Sequence, residues 1–186
     1  MTPSDGQQLP RGAHGIPPDV VERNQRERLV AAVAEALSEK GYAETSVADL
    51  TRGAGISTAT FYKLFAGKLE CVLEAHRELL ERLLEELDRA CGEAEGQEVK
   101  LRTGARTVLA LFAADPPTAR LLTVEVLALG RAGAERNDAA IEAFAERSGA
   151  AWPVVAGAAA LIGKTVLAGE AGSLPGLEDD LVALLS

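Results

Sequence analysis

From Arg23 onward, apolar residues return at helical intervals. Leu29, Val33 and Leu37 recur every fourth position, with Val30 and Ala34 beside them, so one face is apolar as far as Gly41. Glycine is a common helix terminator. Val47, Leu50 and Ala54 then form the buried stripe of a helix of about two turns, with Thr45 its expected N-cap. Gly55 closes that helix, Ile56 plugs the core, and Ser57 caps a third helix over 58–65. Ala66-Gly67 interrupts the chain again. Beyond it, Leu69, Leu73, His76, Leu80, Leu83 and Leu87 are spaced 4, 3, 4, 3 and 4 apart, one continuous seam. The helix this predicts, over 68–90, is about 35 Å long at the usual rise per residue.

CGEAEGQE at 91–98 is a polar loop. Further helices are expected over 99–114, carrying Val108, Leu109 and Phe112, and from Pro116 to Leu129 after the break at Asp115-Pro116-Pro117. Another is expected over 134–148 with Ile141 and Phe144, and one over 151–169 that is apolar on nearly every face. SLPG at 173–176 turns the chain into a short final helix. No alternating strand pattern appears, so the expected class is all-α. Residues 1–22, rich in Pro, Gly and polar groups, read as a disordered tail. Residues 23–67 read as a head of three helices, and 68–186 as a helical body.

Composition agrees with that layout. The 186 residues are 47 % hydrophobic but only 4 % aromatic, and Ala, Leu, Glu and Arg, which favour helix, are abundant. The N-terminus has no apolar run of the kind a secretory leader needs. The longest apolar stretch, 150–163, contains Pro153 and is shorter than the ~20 residues of a membrane span. A cytoplasmic protein without a membrane partner is expected. Cys71 and Cys91 have no neighbouring metal-ligand partners and read as free thiols.

Charge changes the picture more. The chain carries −9 overall, but residues 1–68 hold eight Lys/Arg against eight Asp/Glu, so the whole excess lies beyond them. A neutral head on an acidic body can present one end to DNA while the rest is repelled. The head also contains GISTATFYKLF, residues 55–65: two short helices joined by Gly55-Ile56-Ser57, the spacing of a helix-turn-helix. The second helix would expose Thr58, Ala59, Thr60, Tyr62 and Lys63. Hydroxyls bond phosphates or base edges, Ala59 permits close approach and contact with a thymine methyl, and Tyr62 and Lys63 suit flanking phosphates. Thr45, Ser46, Ser57 and Lys68 complete the expected DNA-binding set.

Residues 28–73, RLVAAVAEALSEKGYAETSVADLTRGAGISTATFYKLFAGKLECVL, resemble the N-terminal domain of the TetR family of bacterial transcriptional regulators. The matching pieces are EKGYAETSV, ADLTRGAGIS and TATFYKLFAGK, with Phe61-Tyr62, Phe65 and Lys68 in the family's aromatic and lysine positions. Ala59, Lys63-Leu64 and Leu69 depart from the usual pattern, which bears on the operator rather than on the module. The resemblance implies a homodimer, usually a repressor. It would bind a near-palindromic double-stranded DNA operator and be released by a small-molecule effector held in the C-terminal domain.

For that effector, a largely apolar molecule, the candidate residues are Leu83, Leu87, Phe112, Leu122, Val126, Phe144 and Trp152, with Glu125 as a buried polar handle. Gly157, Ala160, Gly163 and Lys164, on the apolar helix, are candidates for the dimer interface. No cofactor or metal site is expected, and His76 reads as a core or pocket-edge histidine. Without a Ser/His/Asp, Cys/His or paired-carboxylate arrangement, catalysis has no foothold, so an enzyme is not expected. AAALIGKT at 158–165 formally fits a phosphate-loop pattern, but that chemistry needs a strand and a glycine-rich loop ahead of a helix. Two other readings stand beside the regulator: a helical interaction protein that has lost DNA binding, and a nucleotide-binding protein using 158–165.

Overall fold

The computed structural model describes residues 17–185, and these are helical with no strand among them. The elements are α1 Pro18–Glu44, α2 Val47–Ala54, α3 Thr58–Leu64, α4 Lys68–Cys91, α5 Gln97–Ala114, α6 Pro116–Thr123, α7 Gly130–Ser148, α8 Trp152–Leu167 and α9 Glu178–Leu185. Two 3-10 segments, Glu125–Leu129 and Ala171–Leu177, precede α7 and α9 respectively.

α1 begins at Pro18, five residues before the position expected from periodicity. Proline fits a first helical turn because its missing N–H has no partner there anyway. Most of the residues expected to form a disordered tail, 1–16, lie outside the described residues. Gly41 interrupts α1 with φ 73° and ψ 167°, backbone that only glycine adopts readily.

α2 is capped by Ser46, not Thr45. The Ser46 hydroxyl accepts from the Asp49 amide at 3.2 Å, and the Asp49 carboxylate accepts from the Ser46 amide at 3.0 Å. Thr45 is 2 % exposed, and its hydroxyl donates inward to the carbonyls of Gly41 at 2.8 Å and Ala36 at 3.2 Å.

Two apolar clusters form the interior. The first joins Leu29, Val33 and Leu37 of α1, Leu50 of α2, Phe61 and Phe65 of α3, and Val72 and Ala75 of α4; Leu121 and Leu129 from the body complete it. The second joins Leu83, Leu109, Phe112, Leu122, Ile162, Leu174 and Leu181. α4 therefore runs through both.

The helix expected from Pro116 to Leu129 is broken at Val124, whose φ of −121° and ψ of −60° are not helical. The tighter 3-10 segment that follows buries Glu125, Val126 and Leu129. α8 contains all of 158–165, so the formal phosphate-loop pattern is helix interior with no preceding strand. Its amides are spent within the helix, which removes the physical basis for a nucleotide site there.

Candidate nucleic-acid interface and effector cavity

α3 stands on two aromatic feet. Phe61 is fully buried and Phe65 is 4 % exposed, with ring centroids 5.8 Å apart. Burying each is worth about 2–3 kcal/mol. Arg26 of α1 lies 5.1 Å over the Phe65 ring. The α2–α3 turn is held by Gly55 in the left-handed conformation, φ 62°, and by Arg28 of α1, which donates to the Gly55 carbonyl at 3.2 Å. Ser57 caps α3, accepting from the Thr60 amide at 3.0 Å.

Fixing that buried side leaves Thr58, Ala59, Tyr62 and Lys63 exposed on the other, with Thr60 half-buried beside Ser57. Tyr62 is 57 % exposed and meets Phe61 edge to face. Ser46, at the cap of α2, is exposed as well and completes the solvent-facing set of the head. Two members of the expected set do not join it. The Thr45 side chain is buried with its hydroxyl occupied, so it faces the core rather than a groove.

Lys68 is the second. Its ammonium donates to the carbonyls of Tyr42 at 2.7 Å and Thr45 at 2.8 Å and sits 4.1 Å over the Tyr42 ring. It fastens the end of α1 to the start of α4 instead of projecting toward a phosphate. Asp49 also serves as a hub, bonded by Lys40 at 2.8 Å and by Ser46 and Arg52. The Lys40 hydrogen bond, followed by those from Ser46, holds its carboxyl well below the usual range.

Glu125 lies at the junction of head and body. It is 5 % exposed and accepts the Tyr42 amide at 2.8 Å and Arg120 Nε at 3.0 Å. It does not line the cavity, nor does its buried neighbour Val126. Sequence spacing marked Glu125 as buried and polar, but nothing in the sequence named its partner, a backbone amide 83 residues away.

The body holds a cavity of about 350 Å³ between α4, α5, α6, α7, α8 and α9. Leu83, Leu87, Phe112, Leu122 and Phe144 line it as expected. Trp152 does not; it is 40 % exposed at the start of α8. Lining residues that the sequence did not single out include Thr123, Asn137, Arg147, Leu181 and Leu185. One rim is spanned by Arg147 of α7, which forms a two-pronged pair with Asp88 of α4 at 2.8 and 3.0 Å. That pair lowers the Asp88 carboxyl below its ordinary value.

His76 is fully buried on α4, with neither ring nitrogen hydrogen-bonded, and lies outside the cavity lining. Burial pushes the imidazole down to about 4, and the charge of Arg136 adds to the effect. Among the described residues no group of three or more potential ligands gathers to hold a metal. Burial drives the Cys71 thiol up to about 12, which keeps it a packing group. Cys91 lies twenty residues along the same helix, about 30 Å away and out of disulfide reach.

On α8, Gly157, Ala160 and Lys164 are exposed, but Gly163 is not. It turns inward against α6, where a Cβ would lie 3.3 Å from the Thr123 carbonyl. Gly163 is thus a close-packing contact within the chain and not part of an outer face.

A helix-turn-helix head is thus joined by a long helix to an all-helical body with an internal cavity. Residues 29–75 match the model for bacterial regulatory proteins of the tetR family. The chain is also similar to the HTH-type transcriptional regulator EthR of Mycolicibacterium smegmatis, 34 % identical over 122 residues. That match covers 64 % of this chain and 55 % of EthR, about half of that protein's length. The fold is shared with the fatty acid degradation regulator FadR of Bacillus halodurans, with TM-score 0.75 and 18 % identity over 87 % of this chain and 95 % of that one. FadR of Bacillus subtilis, determined in complex with stearoyl-CoA, gives TM-score 0.75 and 16 % identity over 86 % and 97 %. Residues 29–75 thus carry the N-terminal regulatory domain of the tetR family, on a chain that shares the fold of these solved regulators. The family and these relatives are regulators, not enzymes.

Proposed function

We propose that this protein is a ligand-responsive repressor that binds a near-palindromic operator as a homodimer in the cytoplasm and leaves it when a largely apolar effector occupies the body. The observation that carries the reading is the exposed face of α3, with Thr58, Ala59, Tyr62 and Lys63 outward on a helix anchored by Phe61 and Phe65. In this reading α3 enters the major groove, its hydroxyls and Ala59 meet base edges, and Tyr62 and Lys63 hold flanking phosphates. The overall charge of −9 is no obstacle, because affinity depends on cations and amides local to the phosphates.

Dimerisation would use the outer side of α8, where Gly157 and Ala160 are exposed beside Leu184 of α9, itself 44 % exposed. Two heads would then sit about one or more helical turns of DNA apart, near 34 Å or a multiple of it. The coupling route starts at Leu122 and Thr123, which line the cavity at the end of α6. Glu125 follows at once and holds the Tyr42 amide. An effector that displaces the end of α6 would move that grip and so the head. It must favour the released state by a few kcal/mol, since equal affinity for both states shifts nothing.

The test is fluorescence anisotropy against DNA from the protein's own promoter region at two salt concentrations, beside Lys63→Ala. Tight binding that weakens with salt and in the variant supports the reading. Failure to bind that DNA or any enriched sequence would sink it in favour of a helical interaction protein.

A further inference from the structure

The cavity has an uneven chemistry. Its walls are almost wholly aliphatic and aromatic, with Leu80, Leu83 and Phe112 on one side and Ile162, Leu181 and Leu185 on the other. The polar groups on it are mostly occupied. Thr123 donates to the Ala119 carbonyl at 2.7 Å. The Arg147 fork is spent on both oxygens of Asp88 and on the Ala143 carbonyl. Asn137, half-buried on α7, is different. It lines the cavity on the same face of α7 as Ala140, Ile141 and Phe144, and its side-chain amide makes no hydrogen bond to any described residue. A primary amide that can both donate and accept is thus left open in an apolar space.

We propose that the effector is an uncharged, mainly apolar molecule bearing one carbonyl or hydroxyl group, and that Asn137 is the residue that recognises that oxygen. This rests on the cavity being the effector site. Leaving Asn137 unpaired after the cavity fills with hydrocarbon costs free energy, so the site selects ligands that bring a polar atom to it. A full negative charge has no waiting partner inside, and taking one out of water without a partner is far more costly. The rim offers anions little. Lys100 is exposed there, but the segment leading to it carries Glu93, Glu95 and Glu98, and Asp88 lies opposite on α4.

The probes are 2-undecanone, 1-dodecanol, dodecanoate and dodecanoyl-CoA, titrated calorimetrically against the full chain. The ketone and the alcohol should bind at least tenfold more tightly than the carboxylate or the CoA thioester. Asn137→Leu should weaken the ketone and the alcohol about five- to tenfold, the scale of one neutral hydrogen bond. Asn137→Asp, an acceptor without a donor when ionised, should lose the ketone but retain the alcohol. Circular dichroism of both variants shows whether the fold is kept. Tighter binding of dodecanoate or dodecanoyl-CoA, or a ketone affinity unmoved by Asn137→Leu, would overturn the proposal while leaving the cavity as the effector site. Binding of none of the four by an otherwise DNA-competent protein would remove the site itself, and the proposal with it.

Discussion

Glu125 Oε2 accepts the backbone amide of Tyr42 at 2.8 Å, and the carbonyl of that same residue accepts Lys68 at 2.7 Å. The end of α1 is therefore gripped on both sides, by the body and by the first residue of α4. The Glu125 carboxylate is buried and balanced by Arg120. Removing it leaves a half-buried guanidinium and the Tyr42 amide without this partner. Glu125→Ala should lower the unfolding free energy by about 3 kcal/mol, the scale for breaking a buried pair. Glu125→Gln, which still accepts one hydrogen bond, should cost less and yet change how far an effector reduces DNA affinity. Chemical denaturation and anisotropy check the two halves separately.

The two lysines of the head should behave oppositely. Lys68→Ala loses two hydrogen bonds to carbonyls and is expected to destabilise by about 1–3 kcal/mol. Any DNA effect it has should leave the salt slope unchanged. Lys63 is exposed on α3, so Lys63→Ala should leave stability within about 0.5 kcal/mol and reduce the salt slope by about 1. Affinities measured across a salt series separate the two.

Acid should destabilise the protein before its carboxylates titrate. His76 titrates near 4 in the folded state and at its ordinary 6.5 when unfolded. The unfolded chain therefore binds the extra proton as pH falls through that window, and stability falls with it. The loss is roughly 3 kcal/mol once pH passes below the folded value. His76→Leu should flatten the dependence of midpoint denaturant concentration on pH between 6.5 and 4.5. An unchanged slope would show that other groups dominate.

Gly41 is expected to be intolerant of any side chain. Its φ of 73° is strained for an L residue, and a Cβ there would meet Glu125 Oε2 at 3.5 Å. The contact distance is ordinary, so the cost of Gly41→Ala lies in the backbone, about 2 kcal/mol. Thermal denaturation of the variant measures it directly.

Much of the head was legible because its signals are local. The spacing of Leu29, Val33 and Leu37, the glycines at 41 and 55 and the Ser57 cap each act within a few residues. The cap of α2 is expected from sequence one residue early, at Thr45, because its hydroxyl offers the same chemistry as that of Ser46, whose reciprocal partner Asp49 lies three residues on. Lys68 illustrates the opposite case. A lysine beside a helix-turn-helix suggests a phosphate contact, and only the three-dimensional approach of the Tyr42 and Thr45 carbonyls shows its cation already engaged. In the body, the leucines and phenylalanines of the cavity were readable as apolar faces. Asn137 was not, because a polar residue on a polar-looking helix face carries no sign that it faces a void.

Leu79 of α4 packs against both apolar clusters, and Leu121 and Leu129 of the body complete the first. The boundary drawn in sequence at residue 67 is therefore not a boundary of folding. A head of about 50 residues is marginal on its own, and this one closes its interior with side chains from α4, α6 and the 3-10 segment. Excised at residue 67 it would lack part of its own core. Within the whole chain, head and body should melt in a single cooperative calorimetric transition, so damage deep in the body is felt as loss of the DNA-reading end.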